Sequence, residues 1–151
     1  MSRALLPPLL TLGLLLAACV STESAMPGET AGAPANVVGS EWQLRELGGV
    51  KAIPSPEATL AFLDGTRASG SGTCNRFTAT YELSGNSIKF GPIASTRRAC
   101  LPEIAGQEER YFASLQNAER IASGGPDLLI FSKGADKPLR FTRAATAKPA
   151  Q

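Results

Sequence analysis

The stretch Phe77-Thr78-Ala79-Thr80-Tyr81-Glu82-Leu83-Ser84-Gly85-Asn86-Ser87-Ile88-Lys89-Phe90 sets the architecture of this chain. Phe77, Ala79, Tyr81 and Leu83 alternate with polar residues, the period of a strand that buries one face. Ser84-Gly85-Asn86 then supplies turn chemistry, and Ile88 and Phe90 resume the alternation, so the segment reads as a β-hairpin.

The same punctuation recurs on both sides. Trp42 and Leu44 alternate with polar neighbours, and Leu60 and Phe62 do so ahead of Asp64-Gly65. Leu128-Leu129-Ile130-Phe131 and Leu139-Arg140-Phe141, separated by Gly134-Ala135-Asp136-Lys137-Pro138, read as a second hairpin. One segment breaks the pattern. From Pro102 to Asn117 the residues Ile104, Glu108, Tyr111, Phe112 and Leu115, with Ala118 beyond, recur at three- and four-residue steps, and only Glu108 is polar among them. This is a helix with its stripe against the sheet, and Pro102 and Glu103 suit its first turn. No cofactor box is indicated by Tyr111, Phe112 and Leu115, which read as packing residues.

The ends of the chain read differently. Met1-Ser2-Arg3 precedes an apolar run rich in Leu, Ala, Pro and Gly that closes on Leu16-Ala17-Ala18-Cys19, the pattern of a bacterial lipoprotein signal. The run is shorter than the roughly 20 apolar residues a spanning helix needs, and Pro7, Pro8 and Gly13 interrupt it. Residues 1–18 are therefore expected to be a signal peptide, and Cys19 the lipidated first residue of the mature chain. Several acyl chains, at about 0.8 kcal/mol per buried methylene, anchor firmly. Val20 is not the aspartate that retains many lipoproteins in the inner membrane, so the expected location is the periplasmic face of the outer membrane. Residues 19–39, poor in large apolar side chains, read as a lipidated flexible tether. Residues 40–143 form the folded unit, and 144–151 read as a disordered C-terminal tail.

The formal charge of +2 includes Arg3, the charges are mixed along the chain, and no basic block appears, which argues against a nucleic-acid partner. Cys74 and Cys100 remain once Cys19 is assigned to lipid. In an exported domain such a pair is expected to form a disulfide, worth roughly 3.5 kcal/mol in the chain-entropy account. The alternative, a redox or metal-binding thiol pair, finds no CxxC and no histidine to complete a zinc set.

Five motifs in order carry a family resemblance: Ser40-Glu41-Trp42-Gln43-Leu44; Gly72-Thr73-Cys74-Asn75-Arg76-Phe77; Thr96-Arg97-Arg98-Ala99-Cys100; Glu108-x-x-Tyr111-Phe112-x-x-Leu115; and the Leu128-Leu129 strand. Together they resemble a META domain, the family of the heat-shock protein HslJ, over nearly all of Ser40 to Thr142. Where the family's motif has Gly before the first cysteine, this chain has Thr73, with Gly72 one step earlier. The resemblance implies an α+β domain with a small curved, barrel-like antiparallel sheet and one packed α-helix. It also brings association with heat shock, stress response and antibiotic tolerance, and no defined reaction.

Catalysis is not expected. The chain has no histidine, which removes Ser-His-Asp and Cys-His arrangements and the commonest general base. Glu41, Glu46, Asp64, Glu82 and Asp127 read as solvated charges at strand ends and turns, and Gly70-Ser71-Gly72 lacks the lysine of a phosphate loop. No metal or cofactor is expected. The candidate binding residues are Asn75, Arg76, Arg97 and Arg98, which flank the cysteine pair and would meet an envelope protein or a wall component. A competing reading is a lipid-anchored inhibitor of a hydrolase such as lysozyme.

Overall fold

The computed structural model describes residues 36–144. In chain order the elements are β1 (Ser40–Leu47), β2 (Val50–Lys51), β3 (Thr59–Phe62), β4 (Arg67–Ser71), β5 (Arg76–Ser84), β6 (Ser87–Phe90), β7 (Ala94–Ser95), α1 (Pro102–Gln116), β8 (Ala118–Gly124), β9 (Asp127–Ser132) and β10 (Leu139–Arg143). The signal segment, Cys19, most of the tether and the tail from residue 145 lie outside the described residues.

The expected hairpin is β5–β6. Leu83 faces Ile88 and Tyr81 faces Phe90 across it, with Gly85 in the turn at φ +57°, a backbone region that favours glycine. Outward from it the strands pair antiparallel in the order β1, β3, β4, β5, β6, β8, β9, β10. The last returns to the first, Trp42 opposite Arg143 and Leu44 opposite Phe141. The result is a closed eight-stranded antiparallel barrel with a single helix, the α+β class expected. Closure pairs every barrel strand on both sides and so removes the sheet edges that invite aggregation. Short β2 hangs on β1, and β7 on β5.

Alternation fills the barrel. Trp42, Leu60, Phe62, Phe77, Tyr81, Ile88, Leu128, Ile130 and Phe141 all point inward and are buried. The helix closes one end, sending Tyr111 and Leu115 into the core. Tyr111 packs edge-on to Phe77 at 6.0 Å and donates its hydroxyl to the Thr59 carbonyl at 3.1 Å, and its burial pushes the phenol above its ordinary pKa. On the outer wall Arg120 stacks 3.6 Å from the Phe131 ring.

Three expectations change. Val37, assigned to the tether, is 1% exposed and belongs to the core cluster. Its carbonyl accepts from the Ser40 backbone N–H and hydroxyl, so the ordered chain begins before Ser40. Ala118, placed at the end of the helical stripe, opens β8 instead. The helix stops at Gln116, and Asn117 caps it, its backbone N–H and side-chain Nδ2 both donating to the Ala113 carbonyl. Strand β4 lies where small residues gave no apolar alternation. Its Gly70 runs so close to β3 that a β-carbon there would fall on the Thr59 carbonyl.

Candidate functional site

The loop between β4 and β5 carries Cys74 and Asn75, and the loop between β7 and α1 carries Arg97, Arg98 and Cys100. A disulfide joins Cys74 to Cys100 across a Cα–Cα distance of 6.2 Å. The two loops continue the β5–β7 pairing: the Thr96 N–H donates to the Arg76 carbonyl at 3.0 Å, and the Arg76 N–H donates to Thr96 Oγ1 at 3.2 Å. The Arg98 carbonyl lies 3.6 Å from Cys74 Sγ and 3.7 Å from Cys100 Sγ.

Beneath this surface sits a polar clamp. Glu108, the one polar member of the helical stripe, turns inward and is 9% exposed. Its Oε2 accepts the backbone N–H groups of Cys74 at 3.1 Å and Asn75 at 2.6 Å, and its Oε1 accepts Asn75 Nδ2 at 2.7 Å. Asn75 passes the connection on: its Oδ1 accepts the Thr96 hydroxyl at 3.0 Å and the Arg98 N–H at 2.8 Å. One helix carboxyl therefore positions both loops through a single amide side chain, and every polar atom in the chain of contacts has a partner.

Of the four residues proposed for binding, the structure thus divides one from the other three. Asn75 is 6% exposed and its side chain is committed to internal hydrogen bonds, so its role here is to shape the loop. Arg76, Arg97 and Arg98 are exposed, and their guanidinium groups make no ion pair or side-chain hydrogen bond among the described residues. Arg45, Arg67 and Arg140, by contrast, each meet a carboxylate. Two open depressions adjoin Arg98, and one of them also adjoins Arg97. One, of about 540 Å³, lies against Pro56, Arg98, Ala99, Leu101 and Ile104; the other, of about 480 Å³, lies against Thr96, Arg97, Arg98, Ala105, Glu109 and Phe112.

Glu108 is the residue that sequence reasoning passed over. Its signal was present: a charged side chain at an inward helical position must find partners or pay for burial. No group of three or more metal-ligating side chains is found among the described residues.

Thr73 carries a second lesson. It is the one non-glycine residue among those described with positive φ, at 99°, a region that β-branched side chains avoid. Its hydroxyl accepts Gln107 Nε2 at 2.8 Å, while Gln107 Oε1 accepts the Ile53 N–H at 2.8 Å. Thr73→Gly relieves the backbone and loses this acceptor, whereas Thr73→Ala loses the acceptor and keeps the strain. We expect the Gly variant to be more stable than the Ala variant by about 1 kcal/mol, read by urea unfolding. Equal stability of the two variants would show that the left-handed turn is not strained.

A closed antiparallel barrel, plugged by one helix whose carboxyl secures a disulfide-bonded pair of loops, defines the class of protein. The META domain model matches residues 35–146, and this chain belongs to the META domain family. Among solved structures it is similar to an NMR structure of a protein from Burkholderia xenovorans, 24% identical, with a TM-score of 0.58, covering 72% of this chain and 84% of that one. A second NMR structure is 20% identical, with a TM-score of 0.59, covering 72% of this chain and 92% of the other. Both likenesses are of fold. No curated protein matches the chain.

Proposed function

We propose that this META-family protein is a non-catalytic binding module of the bacterial envelope that contributes to stress tolerance. In this reading it is anchored by lipid on Cys19 at the periplasmic face of the outer membrane. It meets a protein or wall component through the loop bearing Arg97 and Arg98.

The observation that carries the proposal is the Glu108–Asn75 clamp, a buried polar network that holds the backbone of the loop bearing Arg97 and Arg98, whose guanidinium groups form no ion pair among the described residues. Stability alone does not call for charged groups without partners among the described residues on a loop so tied by hydrogen bonds and a disulfide. The anchor is supported by Leu16-Ala17-Ala18-Cys19 and by a cysteine pair suited to an oxidising compartment. The non-catalytic reading follows from the missing histidine and from the internal use of the one buried acid in the loop region.

The test is photo-crosslinking in cells with the probe at Arg97, since Asn75 is buried and would place a probe inside the fold. A discrete protein or glycan adduct is the expected result. In a parallel arm, Cys19→Ala should move the protein from the membrane fraction to the soluble one with its melting temperature unchanged. Absence of any adduct at Arg97 removes the binding reading, and unaltered membrane association of Cys19→Ala removes the anchor.

A further inference from the structure

We infer that the two depressions on either side of Arg98 form one docking groove for an acidic segment of a partner protein, its carboxylates held by Arg97 and Arg98 and an apolar side chain seated against Leu101 and Ile104. The inference rests on the binding-module reading and assigns that surface its ligand chemistry.

The depressions are contiguous, since both are lined by Cys74, Arg98 and Ala99. They differ in character. One offers Pro56, Ala99, Leu101 and Ile104, with Leu101 63% exposed, a large apolar side chain standing in water at the rim. The other offers Arg97, Arg98 and the Thr96 side above Phe112 and Ala105. A ligand that spans both therefore carries an anionic group beside an apolar one.

Arginine favours carboxylates in particular, because its planar fork donates two parallel N–H bonds to them. Among the described residues the guanidinium groups of Arg97 and Arg98 make no ion pair that a ligand would first have to break. The loop backbone is already fixed by the disulfide and by the bond from the Arg98 N–H to Asn75 Oδ1, so little ordering cost falls on association.

The setting favours a peptide over other anions. A peripheral membrane surface presents a broad apolar face beside Lys and Arg, whereas here one exposed large apolar side chain, Leu101, stands beside the arginines along shallow depressions. Glu108 and Glu109 also line the arginine-bearing depression, the Glu108 oxygens being engaged by the Cys74 and Asn75 donors. The exposed Glu109 carboxyl disfavours a continuous polyanion and leaves room for discrete carboxylates at set spacing.

The test uses the full-length lipidated protein in detergent micelles and a rhodamine-labelled peptide, acetyl-Asp-Glu-Leu-Glu-Asp-amide, followed by fluorescence anisotropy. The amide isostere acetyl-Asn-Gln-Leu-Gln-Asn-amide is the control. The acidic peptide should bind at least about tenfold more tightly than the isostere, and Arg97→Gln with Arg98→Gln should weaken it by about tenfold, the loss of charge-assisted hydrogen bonds. Leu101→Ala, which leaves the helix start without a capping side chain as in the parent, should weaken binding several-fold, and Glu109→Gln should tighten it. Melting temperatures of these exposed-residue variants should match the parent, which separates loss of binding from loss of fold.

Equal affinity for the two peptides, or indifference to the arginine changes, overturns the inference. So does inorganic phosphate displacing the peptide with no dependence on Leu101, which indicates a simple anion site. Arginine-dependent binding to phosphatidylglycerol vesicles without peptide binding indicates a lipid surface and equally overturns it. A discrete crosslinked adduct at Arg97 together with no acidic-peptide binding leaves the module reading standing and sinks the ligand chemistry alone.

Discussion

Glu108→Ala should destabilise the domain by about 3 kcal/mol, because truncation strips the acceptor from three donors and each unsatisfied buried donor costs roughly 1–3 kcal/mol. The donors are the N–H groups of Cys74 and Asn75 and the Asn75 side-chain amide. The lower end of that range applies to each, since the site lies at the rim of the fold and water can enter the space vacated. Glu108→Gln separates geometry from chemistry. A Gln oxygen can take the place of Oε2, but its NH₂ then faces Asn75 Nδ2, a donor against a donor. Asn75 cannot turn to relieve the clash, because its Oδ1 is held by the Thr96 hydroxyl and the Arg98 N–H. The expected order of stability is wild type, then Gln, then Ala, measured by urea unfolding. Hydrogen exchange at the Arg98 amide should quicken in the same order. An Ala variant within about 0.5 kcal/mol of the parent, the range of an ordinary surface change, would mean that the clamp does not hold the loop.

How much of this was readable in advance depended on whether the decisive contact was local. The β5–β6 and β9–β10 hairpins and the α1 stripe follow from periodicity, and the structure has Leu139 opposite Ile130 and Tyr111 in the core. Strand β4 was hidden because Arg-Ala-Ser-Gly-Ser offers one inward methyl, Ala68; it pairs because its neighbours on both sides need ladder partners, and Gly70 allows the approach. Strand β8 was hidden by coincidence of spacing, since Ala118 falls three residues after Leu115 and prolongs a helical pattern that Asn117 has already ended. The closing pair, β1 with β10, joins residues nearly the whole domain apart, which no local period reports. At the site, the cysteine pairing and the neighbourhood of the arginines were legible. The distinction between Asn75 and Arg97 was not, because it is set by where the Glu108 side chain goes, and that depends on the helix docking.

Reduction of the Cys74–Cys100 bond should cost the domain about 3.5 kcal/mol, the loop-closure entropy returned to the unfolded chain. For a domain of this size the loss corresponds to a fall in melting temperature of about 15 °C. The magnitude rests on sequence separation, 26 residues, and its structural expression should be uneven. The bridge ties the turn before β5 to the residues that lead into α1, whose first residue is Pro102. Without it, the segment from Arg97 to Leu101 keeps the bond from the Arg98 N–H to Asn75 Oδ1 and, at its end, the bond from the Ala105 N–H to the Leu101 carbonyl. The seam where β1 pairs with β10 lies outside the bridged loop in sequence and should hold its exchange protection until global unfolding. The measurement is thermal unfolding with and without dithiothreitol, alongside Cys74→Ala/Cys100→Ala, which should melt at the reduced temperature and ignore the reductant. A reduced protein that melts with the oxidised one, with free thiols confirmed by titration, would assign the stability of this region to the Glu108 clamp alone. The two devices are distinct in kind: the disulfide acts on the unfolded chain, while the clamp acts on the folded one. Combining Glu108→Ala with reduction therefore tests whether they are independent. Additive losses are expected if the loop keeps its native position in each single variant, and a combined loss smaller than the sum would mean that either lesion alone already releases it.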